Sequence, residues 1–178
     1  MAVRLTYETH ALTEDNEQGV ATGWLPGRLS PRGRREAALL GERRRPEGYA
    51  AVIVSDLARA VETVAIAFAG YGVPVREDAR LRECDYGDLN GCRVTDLEQV
   101  RLRHLDVPFP GGQSYAQVVD QTRALLADIS AEFDCARVLL VAHSANRWAL
   151  QHLRDGTPLA EAVAAPFDWQ PGWSWNLG

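Results

Sequence analysis

The sequence predicts an α/β fold, a three-layer sandwich with a mostly parallel central sheet between two layers of helices. Three observations point there. Short apolar runs recur at 3–9, 49–54 and 138–142, stretches of helical period with recognisable caps separate them, and 178 residues suit one domain with a core of its own. Strands that alternate with helices build parallel βα units, so a single domain over residues 1–178 is expected.

Each element has its own local reason. Val3, Leu5 and Tyr7 alternate with Arg4, Thr6 and Glu8, a period of two that predicts a strand over 3–9. Glu8 shares a face with Thr6 and His10, and if buried there it needs an arginine partner. A polar loop is expected to run to Pro31. Ser30 offers an N-cap and Pro31 a proline in the first helical position, so a helix follows over 32–45 and stops before Pro46. Residues 49–54 suit a buried strand, and Ser55 and Asp56 are placed to cap a helix over 57–69, ended by Gly70 and Gly72. A brief strand at 73–75 leads into a loop-rich stretch over 77–110 with one helix near 95–105. The turn Gly111-Gly112-Gln113-Ser114 introduces a helix over 115–133; a strand over 138–142 and a helix over 145–154 complete the pattern. The tail 164–178 carries Trp169, Trp173 and Trp175, and either adds a final strand or covers a sheet edge.

Composition narrows the function. Hydrophobic residues make up 46% and charged residues 24%, the balance of an ordinary soluble protein. The net charge of -5 provides no field for a nucleic-acid backbone, so any anion must be held by local arginines. Every basic residue is Arg, which excludes lysine Schiff-base chemistry. Cys84, Cys92 and Cys135 show no CxxC spacing, which argues against a disulfide framework and against a structural zinc site. With neither a signal-like segment nor a membrane-length apolar run, a cytoplasmic monomer or homodimer without membrane contact is expected.

In such sheets ligands bind beyond the carboxyl ends of the strands. His10 and His143 follow the first and last apolar strands, and Arg59 falls in the first turn of the helix after the strand at 49–54, where helix amides favour anions. His104 and His152 fall on helices. A zinc site using Glu83 or Asp85 lacks an HExxH pair, and a serine hydrolase centred on Ser144 lacks a GxSxG turn.

The order of motifs resembles the histidine phosphatase superfamily, also called the phosphoglycerate mutase-like family. The residues that carry the resemblance are Thr9-His10-Ala11, Asn16, Gly23-Trp24, Leu29-Ser30-Pro31-Arg32-Gly33, Ser55-Asp56-Leu57-Ala58-Arg59-Ala60, Leu81-Arg82-Glu83, Gly111-Gly112-Gln113-Ser114 and Val141-Ala142-His143. They run in register from residue 3 to about 154. The resemblance implies a phosphoglycerate mutase-like fold and hydrolysis of a small phosphorylated metabolite. His10 would be the nucleophile, Glu83 the general acid and base, and Arg59, His143 and helix-start amides would hold the phosphoryl oxygens. Asn16, Thr22 and Gly23 would complete the cradle, with Thr9, Ser144 and Arg28 as further candidate contacts. This scheme requires no metal and no cofactor.

The departures from the family pattern shape the expectation as well. Thr9 stands where the family has an arginine before the nucleophile, Val20 where a second arginine is common, and Ala11 where a glycine is usual. An arginine aimed at a transferring phosphoryl group is worth roughly 1000-fold or more, so weaker ordinary phosphatase activity is expected. Phosphatase is favoured over mutase, because a bisphosphorylated sugar acid needs cationic contacts this chain lacks. The same replacements also fit a protein that binds a ligand or partner without turnover, or a pocket serving a less charged substrate. Arg28 and Arg147 could compensate, although the plain reading places both at the surface. The plain reading of Trp24, Trp169 and Trp173 is packing; the sharper one is stacking on an aromatic or sugar-like part of the substrate.

Overall fold

The computed structural model describes residues 2–178. Its elements follow in order: β1 (Val3–Thr9), α1 (Glu14–Glu17), β2 (Val20–Ala21), α2 (Pro31–Arg44), β3 (Ala51–Val54), α3 (Ala58–Ala67), β4 (Val75–Glu77), β5 (Cys92–Arg93), α4 (Val94–Val100), α5 (Tyr115–Glu132), β6 (Arg137–Ala142), α6 (Ser144–Leu150), α7 (Leu159–Ala164) and β7 (Trp173–Leu177). The main sheet has the order β4-β3-β6-β1-β7. Its first four strands are parallel, and β7 closes the edge antiparallel to β1 with Trp173 opposite Tyr7. The α/β sandwich is therefore as predicted, and the tail supplies a strand. Among the described residues no helix is long and apolar enough to cross a membrane.

Two apolar layers hold the sheet. On one face Leu40 of α2 and Val64 of α3 cover Val52, Val54, Leu139 and Val141. On the other, Leu125 and Ile129 of α5 meet Leu5, Tyr7, Ile53 and Leu140. The inner strands β3 and β6 are buried on both faces, which explains their continuous apolar runs. Glu8, only 2% exposed, meets the condition set by its place on β1: Arg44 lies 2.7 Å and Arg43 3.1 Å from its carboxylate.

Helices α2 and α3 approach closely at Gly41. A Cβ there would lie 2.1 Å from the Ala67 carbonyl oxygen, a backbone atom that cannot swing aside. Gly41→Val is expected to destabilise the fold by about 1–3 kcal/mol through overpacking, read as a lower urea midpoint at unchanged slope. An unchanged midpoint would show that the two helices part freely.

The expected loop before Pro31 instead contains α1 and β2. The Thr13 hydroxyl accepts from Asn16 N–H at 3.0 Å while the Asn16 carboxamide oxygen accepts from Thr13 N–H at 3.1 Å, a reciprocal cap that starts a helix of a single turn. β2 pairs with β5, Val20 opposite Arg93, and so ties the loop after His10 to the loop after Glu83. Helix α3 begins at Ala58, not Leu57, and Asp56 does not cap it, because its carboxylate is taken by Arg82 at 2.8 and 2.6 Å. The edge strand lies at Val75–Glu77, two residues later than expected, where Val75 registers with Val52. The helix expected near 95–105 tightens into a 3-10 turn over Arg101–His104, and α6 runs on through a π turn over Gln151–Asp155.

Candidate active site

Parallel strands deliver their last residues to one edge, and here β1, β3 and β6 end beside one another. β1 and β6 run in register, Thr9 opposite Ala142, so the following residues His10 and His143 emerge together. Their ring centroids are 5.0 Å apart. His10 Nδ1 lies 2.8 Å from the Ala11 carbonyl oxygen. That oxygen only accepts, so Nδ1 carries the proton and Nε2 keeps its lone pair. Burial, followed by the Arg59 charge, pulls the His10 pKa down to about 3. The ring is therefore neutral at every physiological pH.

His143 is buried, its Nε2 2.8 Å from the Ser55 hydroxyl. Burial and then the Arg59 and His10 charges push its pKa well below the usual histidine value. Glu83 is 8% exposed, and its carboxylate accepts from the N–H groups of Cys84 at 3.0 Å and Ala145 at 3.1 Å. Burial raises its pKa, against the lowering pull of Cys84 N–H, Arg59 and the Ala145 and Ser144 amides. Arg59, 3% exposed, donates to the Gly23 carbonyl at 2.8 Å and to that of Leu25 at 3.4 Å. Two neutral imidazoles, a carboxyl held toward its protonated form and one guanidinium thus converge on one sheet edge, a set suited to nucleophilic attack with general acid assistance.

The other expected contacts divide. Gly23 sits in the left-handed region at φ +55 with the Asn90 amide oxygen 1.8 Å from where a Cβ would stand, so no side chain fits there. The Thr22 hydroxyl donates to Asp15 at 2.8 Å. Thr9 and Ser144 are half-buried next to the two histidines, and the Ser144 amide faces Glu83. Asn16 is exposed and its amide oxygen caps α1. Arg28 is exposed and pairs with Glu14 at 2.9 Å. Arg147 corrects the surface reading: it is 5% exposed, its guanidinium 5.1 Å from the Trp173 ring and 5.5 Å from that of Phe167, because the β7 strand draws the tail over α6.

Trp24 packs; its Nε1 donates to the Glu83 carbonyl at 2.7 Å and its ring lies 4.7 Å from the Arg82 guanidinium. Trp173 packs against the core, whereas Trp169 is exposed. Among the described residues no three or more His, Cys, Asp or Glu side chains group to hold a metal ion.

Several supporting residues escaped the sequence reading. Tyr7 donates from its hydroxyl to the His143 carbonyl. The Thr63 hydroxyl accepts from Ala11 N–H at 3.0 Å and donates to the Arg59 carbonyl at 2.7 Å, fixing the turn after His10 to the helix that carries Arg59. Asn146 accepts from His143 N–H at 3.2 Å and donates to the Arg82 carbonyl at 3.1 Å, holding the second histidine to the Glu83 segment. The Asn146 signal was present as a polar residue at the third position of the helix that follows His143, but its partner Arg82 lies 64 residues away.

Comparison with known proteins agrees with this geometry. The family description of the histidine phosphatase superfamily (branch 1) matches residues 9–168. The 2,3-bisphosphoglycerate-dependent phosphoglycerate mutase of Methylocella silvestris is 33% identical over 161 residues, covering 82% of this chain and 78% of that one. Its counterpart from Afipia carboxidovorans is 34% identical over 126 residues, covering 64% and 61%, so this chain spans less than two thirds of that relative. Among solved structures, a mycobacterial glucosyl-3-phosphoglycerate phosphatase complexed with VO3 superposes with a TM-score of 0.80 at 29% identity, covering 92% of this chain and 87% of the other. The YhfR protein of Bacillus stearothermophilus gives 0.81 at 25% identity, covering 95% and 88%.

Proposed function

The chain belongs to the histidine phosphatase superfamily (branch 1), and from that membership we propose that it hydrolyses a small phosphomonoester through a phosphohistidine on His10. The observation that carries this reading is the state of His10, whose Nδ1–H is held by the Ala11 carbonyl while burial and Arg59 keep the ring neutral. In the first step the Nε2 lone pair bonds to phosphorus, the ester P–O bond breaks, and the leaving oxygen takes a proton from Glu83. In the second, a water oxygen attacks phosphorus and gives its proton to Glu83. The P–N bond then breaks, releasing phosphate and neutral His10. Arg59 and His143, with the Gly23 turn, would hold the phosphoryl group and stabilise its equatorial charge. Neither step calls on a metal or a cofactor.

Hydrolysis is preferred to mutase chemistry because Thr9 and Val20 supply no charge for a second phosphate. A second reading, a ligand-binding protein with little turnover, is favoured by the engagement of Arg28 with Glu14 and of Arg147 with the tail rings. A panel of phosphomonoesters incubated with the protein and a metal chelator, then acid-quenched for peptide mapping, separates the two. Chelator-resistant release of phosphate with a phosphohistidine mapped to His10 is expected. Turnover with the phosphoryl group elsewhere, or binding with no release, would overturn the assignment.

A further inference from the structure

The phosphate cradle contains a carboxylate that the proposed reaction does not use. Asp15 Oδ2 accepts the Thr22 hydroxyl proton at 2.8 Å, so that proton is committed away from any substrate. A Cβ on Gly27 would lie 3.1 Å from Thr22 Cγ2, 3.3 Å from the same Asp15 oxygen and 3.7 Å from Arg59 Cδ, so carboxylate, threonine and arginine stem crowd around one α-carbon. The Arg59 guanidinium is under the charge of both Glu83 and Asp15. Close by, Arg28 is occupied by Glu14 and Arg82 by Asp56. A phosphoryl group can still rest on Arg59, but a second anionic group on the substrate would meet Asp15 and cations already paired.

We propose that Asp15 is a specificity-determining residue, which sets this site to take the phosphomonoester of an uncharged or amine-bearing alcohol and to reject one whose alcohol part carries a carboxylate. The inference rests on the phosphomonoester reading above. Asp15 acts in two ways. Its charge disfavours an approaching carboxylate, and its remaining lone pairs accept from a substrate hydroxyl or ammonium group.

Glycerol 3-phosphate and 3-phosphoglycerate share a carbon skeleton and differ by a hydroxymethyl against a carboxylate group, so they isolate the effect. Binding of each, with phosphoethanolamine as the amine-bearing probe, is measured by calorimetry at one neutral pH and one ionic strength, alongside phosphate release. The unaltered protein is expected to bind glycerol 3-phosphate and phosphoethanolamine about tenfold or more tightly than 3-phosphoglycerate. In Asp15→Asn, which keeps an acceptor for the Thr22 hydroxyl, the ratio should fall to within about threefold by a gain in 3-phosphoglycerate affinity. Thr22→Val removes the hydrogen bond but leaves the carboxylate, and should keep the discrimination.

An unaltered protein that prefers 3-phosphoglycerate overturns the proposal without any variant. So does an Asp15→Asn ratio equal to the unaltered one, or a chain that binds none of the three esters. If the esters bind with the expected ratio but none is hydrolysed, the hydrolase reading falls and the assignment of Asp15 stands. If they are hydrolysed and Asp15→Asn changes nothing, the reverse holds.

Discussion

His10→Ala is expected to lower phosphomonoester turnover by about four orders of magnitude or more, since removing a nucleophile takes away the intermediate that divides the reaction into two easier steps. The loss should come from chemistry and not from unfolding. His10 is half-buried, and its side chain makes one hydrogen bond, to the carbonyl of its own neighbour Ala11. The turn itself is held from the backbone, by Ala11 N–H on Thr63 and His10 N–H on the Ala142 carbonyl at 2.9 Å. Circular dichroism and the urea midpoint should therefore change little while phosphate release vanishes. A residual rate above roughly one-hundredth of the original would mean that water is attacking the ester directly and that His10 only positions it.

Glu83→Gln should cost about 100- to 10,000-fold with alkyl phosphates, whose leaving oxygen needs a proton, and much less with aryl phosphates, whose leaving group departs unaided. The pH profile carries the second half of the test. Glu83 must hold its proton for the first step, and burial raises its pKa, so the unaltered rate should fall as pH rises through that elevated value. His10 must be unprotonated, and with a pKa of about 3 it limits the rate only at strongly acid pH. The unaltered profile should thus show no acid limb near the ordinary histidine value and should decline as pH rises through the elevated Glu83 value. In Glu83→Gln the alkaline decline should disappear, because glutamine does not titrate. An identical alkaline limb in both proteins would remove Glu83 from the acid role, and an acid limb near the ordinary histidine value would show that His10 is not kept neutral.

How far these residues could be found from the chain alone depends on the range of the forces that place them. The strands at 3–9 and 138–142 were legible because a period of two and an apolar run are local, and the end of each strand names the residue that follows it, His10 or His143. Ser30 with Pro31 marked the start of α2 for the same reason. The capping box of Thr13 and Asn16 is also local, but it introduces a helix of four residues, too short for a hydrophobic period to register.

By itself, then, the sequence determined the βα alternation, which follows from short-range sterics and caps, and the resemblance in motif order nominated His10, Arg59, Glu83 and His143 as candidates. Only the tertiary structure decided the company those residues keep. Whether Glu8 is buried depended on Arg43 and Arg44 arriving from α2. Arg147 went under the tail because β7 pairs antiparallel with β1, a choice made by contacts between distant segments. Asp15 and Thr22 lie on either side of α1's end and meet only because the chain turns back through β2, itself held by β5 some seventy residues on. Charge and hydrogen bonding act over a few ångströms in space, whatever the separation along the chain, so the roster of a site can be local while its electrostatics cannot.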